Sequence, residues 1–158
     1  MKNTLVVLAC VCAATLGAGP LIAADVGPAV RQPSASERVD LARDAIKNKD
    51  WKKSLAELNL AVREEPRNAD AHNLLAYSYR KQATPNLPKA FEHYKTALSL
   101  NPRHKGAHEY IGEAYLMDKK PAEAEKHLAE LEKICGNRSC EEYADLAKSI
   151  ADYKAKAP

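Results

Sequence analysis

The sequence predicts an all-α fold in which three similar helical hairpins follow one another. Apolar residues recur every three to four positions between residues 36 and 134, which is the period of amphipathic helices. The same apolar positions return after 34 to 36 residues. The chain of 158 residues is 46% hydrophobic but has only one Trp and one Phe, so its apolar content is mostly Ala and Leu, which favours closely packed helices. This length suits one compact domain or a short repeat array.

Two sets of residues show the repeat most clearly. In the first helix of each unit, Leu41 is followed 34 residues later by Leu75 and then 36 residues later by Ile111. In the second helix the equivalent positions are Ser54, Ala90 and Ala124, which are 36 and 34 residues apart. The two-residue difference falls in the turn-rich segment 83–88. A pattern that stays in phase outside one loop indicates internal duplication.

Prolines and turn residues predict where the second helices begin and end. Pro66 and Pro102 end the second helices of the first two units, because Pro disfavours a helical conformation in the residue before it. The predicted starts are Asp50-Trp51, Asn86-Leu87-Pro88 and Lys120-Pro121. Small residues let neighbouring helices approach closely; they are Ala42, Ala76 and Gly112 in the first helices and Ser54, Ala90 and Ala124 in the second.

Together these positions resemble the tetratricopeptide repeat over residues 36–134, in units of about 36–68, 69–104 and 105–134. The middle unit is the closest match. The resemblance implies a right-handed superhelical stack of antiparallel helix pairs, whose first helices line a concave groove. It further implies a module that holds a peptide or partner protein, performs no chemistry and needs no cofactor.

Residues 135–158 are expected to form a capping helix and tail, since a repeat array exposes an apolar face at its end. Ser139 and Glu142 match a capping box, and Gly136 suits the left-handed end of the preceding helix. The apolar stripe of the cap is predicted to contain Tyr143, Leu146, Ala147, Ile150 and Ala151.

Residues 1–24 have the layout of a secretory signal peptide. Lys2 precedes an uncharged apolar run that is shorter than a membrane span, and small residues follow up to Ala24. Segment 25–35, which contains two Pro and a Gly, is expected to be a flexible linker. The preferred compartment is the bacterial periplasm, with no stable membrane insertion after cleavage. Lipid attachment at Cys10 is an alternative.

Cys135 and Cys140 are the two cysteines outside the predicted leader, and in an oxidising compartment they favour a structural disulfide between the last repeat and the cap. Two alternatives stay open. The chain could be a thiol–disulfide or metal-handling accessory protein that uses these cysteines and the neighbouring His104 and His108, or a structural subunit of an envelope complex. His72, His93 and His127 show no shared spacing at this level.

The groove predicted from the resemblance has cationic and acidic ends. The candidate partner-binding residues are Arg43, Lys47, Asn73, Tyr77, Arg80, Lys81, Glu109 and Glu113, with Val39, Ile46 and Leu116 on the same face. Phosphate-loop, nucleophile-elbow and zinc-protease motifs are missing from the sequence. The formal charge of +3, which falls to +2 without Lys2, is too small to indicate a nucleic-acid partner. We therefore expect an unidentified protein or peptide as the partner.

Overall fold

A computed structural model describes residues 31–156 of the chain, and it contains seven helices in this range. Within it no β-strand occurs, which confirms the predicted all-α fold. None of these helices is both long and apolar enough to cross a bilayer. The helices are α1 Ala35–Lys47, α2 Trp51–Glu64, α3 Ala69–Lys81, α4 Leu87–Leu100, α5 Lys105–Met117, α6 Pro121–Cys135 and α7 Glu141–Ala155.

Polar side chains cap five of the helices where the sequence turns from loop to helix. Ser34 and Glu37 form a reciprocal capping box at the start of α1. The other N-cap side chains, each of which accepts a hydrogen bond from the first turn, are Asp50, Asn68, Asn86 and His104. The predicted starts of α2, α4 and α6 are confirmed. Gly136 ends α6 with a φ of 71°, in the left-handed conformation that glycine adopts without steric cost.

Three apolar clusters follow one another along the stack, and each joins a hairpin to the next helix. Leu58 and Leu75 are fully buried in the first cluster, Tyr94 in the second, and Leu131 with Leu146 in the third. Each hairpin thus buries its apolar face mainly against its immediate neighbours. This is the arrangement expected of a linear repeat array.

The contacts between helices show which side of the stack is concave. The first helices of adjacent hairpins touch one another, α1 with α3 and α3 with α5, whereas α2 does not approach α4 and α4 does not approach α6. A stack that is close on one side and open on the other curves around its close side. The inner surface is therefore lined by α1, α3 and α5.

Helix α7 packs on the last hairpin through both α5 and α6. Leu146 lies so close to Gly112 that a Cβ atom there would stand 2.7 Å from its methyl groups. Gly112 thus permits this approach. The predicted capping box at Ser139 is wrong: Cys140 is the N-cap, and the Ser139 N–H and hydroxyl both donate to Asn137 Oδ1. Ala151 is exposed and does not belong to the apolar stripe.

The predicted linker is one residue too long at its C-terminal end. Ala35 is already the first residue of α1 and is buried, because the capping box of Ser34 starts the helix there. The predicted signal peptide 1–24, the lipid-attachment alternative at Cys10 and linker residues 25–30 lie outside the described residues.

Candidate functional site: the concave groove

Arg80, on α3, forms the floor of the groove and is held from three directions. Its Nη2 lies 2.6 Å from Glu113 Oε2, an ion pair that is not aligned as a hydrogen bond, and its Nε donates to the Tyr94 hydroxyl at 3.3 Å. The guanidinium carbon lies 5.3 Å from the ring centre of Tyr77 and 5.7 Å from that of Tyr110. These distances are in the range of cation–π contacts. The side chain is buried, so these contacts set its position.

The aromatic rings beside Arg80 continue across the inner surface. The ring centres of Tyr77 and Tyr110 are 4.8 Å apart, and Trp51 lies 6.2 Å from Tyr77. All three rings are partly exposed. Burial, together with the nearby carboxylate of Glu109, raises the pKa of Tyr110 to about 12, so its hydroxyl is protonated at neutral pH and can donate a hydrogen bond.

Glu109 is the second buried charged residue on this surface. The side chain lies on α5, is 8% exposed, and forms no hydrogen bond or ion pair with residues 31–156. Burial raises its pKa to about 8, and the negative charges of Glu113, Asp145 and Glu142 add to the effect. Glu109 is thus a carboxyl group without a counter-ion.

Asn73 occupies the position of Glu109 in the preceding repeat, 36 residues earlier. It is 5% exposed, and its Oδ1 is buried without a hydrogen-bond partner among the described residues. Its amide nitrogen packs against Gly106, 3.4 Å from where a Cβ atom would stand, one turn before Glu109 on α5. The unpartnered amide oxygen and the unpaired carboxyl group therefore belong to neighbouring helices of the same inner surface.

Asp70 joins all three repeats at one edge of the groove. Its carboxylate lies 3.6 Å from Arg43 Nη2 on α1 and 2.9 Å from His104 Nε2 at the start of α5. All three groups are at least partly exposed, and exposed ion pairs contribute little to stability. The contact shows that α1, α3 and α5 meet along this edge.

The structure places the predicted groove residues at different depths. Arg43, Lys47 and Lys81 are exposed, Tyr77 and Glu113 are partly exposed, and Asn73, Arg80 and Glu109 are buried. Val39 and Leu116, assigned to the same face, belong to the apolar clusters instead. They are apolar, so their burial against neighbouring helices is more favourable than exposure in the groove.

The candidate groove residues from the sequence did not include Tyr94 and Tyr110. Tyr94 belongs to the core by its spacing, and its hydroxyl reaches the groove floor only because Arg80 extends inward to meet it. Tyr110 stands beside Glu109 on α5. The first helices of the second and third repeats are 36 residues apart, whereas Tyr77 and Tyr110 are 33 apart. Tyr110 therefore lies about one turn before the position equivalent to Tyr77, and the repeat alignment would have shown that their rings are close.

Histidines form two equivalent pairs, each within one hairpin, and this corrects the statement that they share no spacing. His72 and His108 are 36 residues apart, and His93 and His127 are 34 apart, so each pair takes the same position in its repeat. The Nδ1 atoms are 3.0 Å apart in the pair His72–His93 and 2.9 Å apart in the pair His108–His127.

The Nε2–H groups of His72 and His108 donate to the carbonyls of Pro66 and Pro102, at 3.1 and 2.9 Å. Their Nδ1 atoms are then free of protons and accept from Nδ1–H of His93 and His127, respectively. The suggested metal-binding combination of His104 and His108 is wrong: His104 caps α5 and contacts Asp70, whereas His108 is buried against His127.

The Sγ atoms of Cys135 and Cys140 lie 2.11 Å apart, at bonding distance, and join the end of α6 to the start of α7. Glu142 is the one further acidic, histidine or cysteine side chain grouped with them in the described range. Two sulfur atoms and one carboxylate are fewer than the four ligands of a structural zinc site. This geometry favours the structural interpretation of the pair over metal handling.

The chain belongs to the tetratricopeptide repeat family. The family model matches residues 39–98 and 86–138, which together span all three hairpins. The protein is thus a helical repeat protein, and the first helix of each hairpin lines its inner surface. Comparison with curated protein sequences gives no significant match.

Solved structures with this fold come from several contexts. The chain is similar to the TPR2B domain of yeast Sti1 in its Hsp70 complex, with a TM-score of 0.69 and 14% identity over 78% of this chain and 98% of that one. It is also similar to the first TPR of Spaghetti (RPAP3) bound to the HSP90 peptide SRMEEVD, with a TM-score of 0.67 and 17% identity over 82% and 100%. A third relative by fold is the Yersinia enterocolitica type III secretion translocator chaperone SycD, with a TM-score of 0.69 and 12% identity over 82% and 98%. At these identities the likeness shows the fold alone.

Proposed function

We propose that this chain is a non-enzymatic interaction module whose concave groove holds an extended segment of a partner protein. The observation that carries the proposal is the organised groove floor, in which Arg80 is fixed between Tyr77 and Tyr110 by Glu113 and Tyr94. Tyr and Arg are the residue types that contribute most at protein interfaces. Side chains that are already positioned lose little conformational freedom on binding.

The structural neighbours support the same function. Two of them are domains described with Hsp70 or HSP90 peptides, and a third is a secretion chaperone. The partners and roles named for these three structures differ. They therefore support a role of the fold in holding other proteins and do not identify the partner of this chain.

Site-specific photo-crosslinking tests which surface the partner contacts. A photoreactive phenylalanine derivative replaces Tyr77 in the groove, and in a matched variant it replaces Lys95, which is exposed on α4. Irradiation is performed in cells that produce the protein at native level, and the cross-linked products are identified by mass spectrometry. We expect a defined protein adduct from position 77 and none from position 95.

Adducts from position 95 alone would contradict groove binding and would favour a structural subunit that uses its convex surface. Absence of adducts at both positions, with folded protein shown by circular dichroism, would also count against the proposal. A second groove position at Lys81 guards against an unfavourable orientation of the probe, because its side chain is exposed and lies 5.9 Å from the Tyr77 ring.

We further propose that the protein is exported and acts in the bacterial cell envelope. The leader-like pattern of residues 1–24 and the even pair of cysteines outside it support this compartment. Cell fractionation and mass spectrometry of the mature N-terminus test it. A cytoplasmic product that retains Met1 or Lys2 would refute export, and a lipid-modified Cys10 would favour the anchored alternative.

A further inference from the structure

We propose that the groove recognises a basic side chain, lysine or arginine, of the partner segment, with the carboxylate of Glu109 as its counter-ion and Asn73 Oδ1 as a second hydrogen-bond acceptor. This inference rests on the proposed function, because it specifies the chemistry of the segment that the groove holds. Two separate observations support it: Glu109 is 8% exposed and has no cation partner among the described residues, and the buried amide oxygen of Asn73 has no donor there.

Glu109 differs from the acidic residues around it because it is both buried and unpaired. Glu113 is paired with Arg80 at 2.6 Å, and Glu142 lies 3.7 Å from Lys105 Nζ. Glu109 has no such contact among residues 31–156, although it is 8% exposed. An ionised carboxylate in a buried position is normally paired with a cation, so the ionised form of Glu109 is favoured only when a cation arrives.

Asn73 supplies the second acceptor on the facing helix. Its Oδ1 is closed to solvent and lacks a hydrogen bond, which costs free energy that a ligand donor recovers when the side chain turns towards the groove. An ammonium group has three donors and a guanidinium has five, so either can bond a carboxylate and an amide oxygen together. A carboxylate or an apolar side chain would leave Asn73 Oδ1 unsatisfied.

The charges facing Glu109 set the sign of the ligand. Glu113 lies on the same helix, Glu142 and Asp145 face it from α7, and Arg80 faces it from α3, already paired with Glu113. The excess of acidic groups would repel an acidic segment such as SRMEEVD, the HSP90 peptide bound by RPAP3. The same excess attracts a basic one, so the part of the groove around Glu109 has the opposite charge preference.

The raised pKa of Glu109, about 8, gives the interaction a measurable signature. At pH 7 the carboxyl group is mostly protonated in the free protein. A bound cation favours its ionised form and lowers its pKa, so binding releases up to about one proton. The rings of Tyr77 and Tyr110 have raised pKa values as well, and they stay protonated throughout this range.

A displayed library of random, uncharged-ended peptides provides a probe that does not require the natural partner. The purified protein is immobilised, and retained peptides are counter-selected against the variant Tyr77→Ala to keep only groove-dependent ones. We expect lysine or arginine to be enriched at one position of the retained peptides. Their affinities are then measured by titration calorimetry.

Two variants test which groove residues contact the basic group, and a third is a matched control. Glu109→Gln, which keeps the shape of the side chain, is expected to weaken the best peptide at least tenfold and to abolish proton release, as measured in two buffers of different ionisation enthalpy. Asn73→Leu should weaken it severalfold and leave proton release in place. Glu92→Gln on α4, where the carboxylate is exposed and paired with Lys89, should change neither.

The outcomes separate this inference from the proposed function. Retained peptides without basic enrichment, or an affinity unchanged in Glu109→Gln, would overturn the basic-residue inference and leave groove binding intact. Failure to retain any groove-dependent peptide would overturn both. Replacement of the enriched lysine by norleucine in the best peptide must also remove proton release; persistence of the release would contradict the role of Glu109 as counter-ion.

Discussion

The first repeat and the two that follow use different chemistry at the same position. Where the second and third repeats have the histidine pairs His72–His93 and His108–His127, the first has Arg38 and Glu57, whose charged groups are 2.9 Å apart. Arg38 also bonds Glu64 at 2.9 Å. In every case a residue of the first helix bonds one of the second, across the inside of a single hairpin.

The comparison shows that each repeat has a polar contact between its two helices at this position, but that the charge of the contacting residues differs. An arginine–carboxylate pair is strongest when both groups are ionised. A histidine pair with Nδ1 atoms about 3 Å apart shares one hydrogen only while one of the two Nδ1 atoms carries none, so the bond is lost when both rings are protonated. The first hairpin and the other two should therefore respond differently to acid.

The largest expected effect is a selective loss of stability in the second and third hairpins below neutral pH. The pKa of His127 is lowered to about 4 by burial and by His108, and that of His93 is lowered by burial and by His72. Between about pH 6.5 and 4 the unfolded chain binds protons that the folded chain excludes, so the free energy of unfolding falls as the pH falls. We expect a loss of about 1–3 kcal/mol per pair. Hydrogen exchange followed by mass spectrometry at pH 7, 5.5 and 4 would show which hairpins open.

The control for this prediction has to remove the pH dependence of Glu109, which opposes that of the histidines. Glu109 has a raised pKa, so its protonation stabilises the folded chain as the pH falls from about 8 to 4.5. Comparison of Glu109→Gln with Glu109→Gln/His93→Phe/His127→Phe isolates the histidines. Earlier loss of protection in α1 and α2 than in α3 to α6 would contradict the comparison.

Other charged groups also lie near the histidines of the second helices. They are Lys89 and Glu92 for His93, and Glu123, Lys126 and Glu130 for His127.

Loss of the cross-link in the first hairpin should be the next largest effect. Arg38→Met keeps the length of the side chain but removes the cation that both Glu57 and Glu64 contact. We expect the melting temperature to fall by about 10 °C, with α1 losing protection first. Lys53→Met in the same hairpin is the control, because this lysine is exposed. An equal fall in both variants would show that Arg38 has no special role.

A smaller effect is expected from the link that the third hairpin alone makes with α7. If Cys135 and Cys140 are bonded, the variant Cys135→Ser/Cys140→Ser loses the constraint of a short loop, which is worth about 2 kcal/mol on the chain-entropy model. Denaturant unfolding measures the difference. Detection of the linked peptides in a non-reduced digest establishes the bond, and identical unfolding of both proteins would contradict its stabilising role.

The smallest expected effect is the removal of one histidine of a pair at neutral pH. His127→Phe retains an aromatic ring beside Tyr115, whose ring centre lies 5.7 Å from that of His127, but leaves the Nδ1 of His108 without its donor. We expect a loss of about 1 kcal/mol at pH 7.5. His93→Phe should behave alike, because its ring stacks on Tyr79 in the same way. A difference above about 1 kcal/mol between the two would show that the pairs are not equivalent.

The fold was predictable from the sequence because periodic apolar residues determine it. The interval between Leu41, Leu75 and Ile111 and the proline and turn signals placed the second helices correctly. The cap of α7 was missed because two local arrangements compete at Ser139. Its hydroxyl could cap the helix, but it donates to Asn137 instead, and the helix then starts after Cys140.

The sequence predicted candidate residues for the groove but not how deeply each of them is buried. The interval of 36 residues places Asn73 and Glu109 on the same face, yet the sequence does not show that both are buried. The packing of α7 on α5 brings Asp145 and Glu142 towards Glu109, whereas Asn73 lies on α3, which α7 does not contact. The histidine pairs were missed for a simpler reason: their spacing matches the repeat only when first and second helices are compared separately.

Helix α7 has a consequence for assembly. It covers α5 and α6 with Leu146 and Ile150, while Asp145, Lys148 and Asp152 on its remaining surface are exposed. A chain cut before residue 136 would present that uncovered apolar end to other chains. Head-to-tail contacts of this kind do not close into a ring unless the rotation allows it, and otherwise they grow into filaments. The fifteen-residue helix α7 thus keeps the apolar end of the third hairpin from contact with other chains.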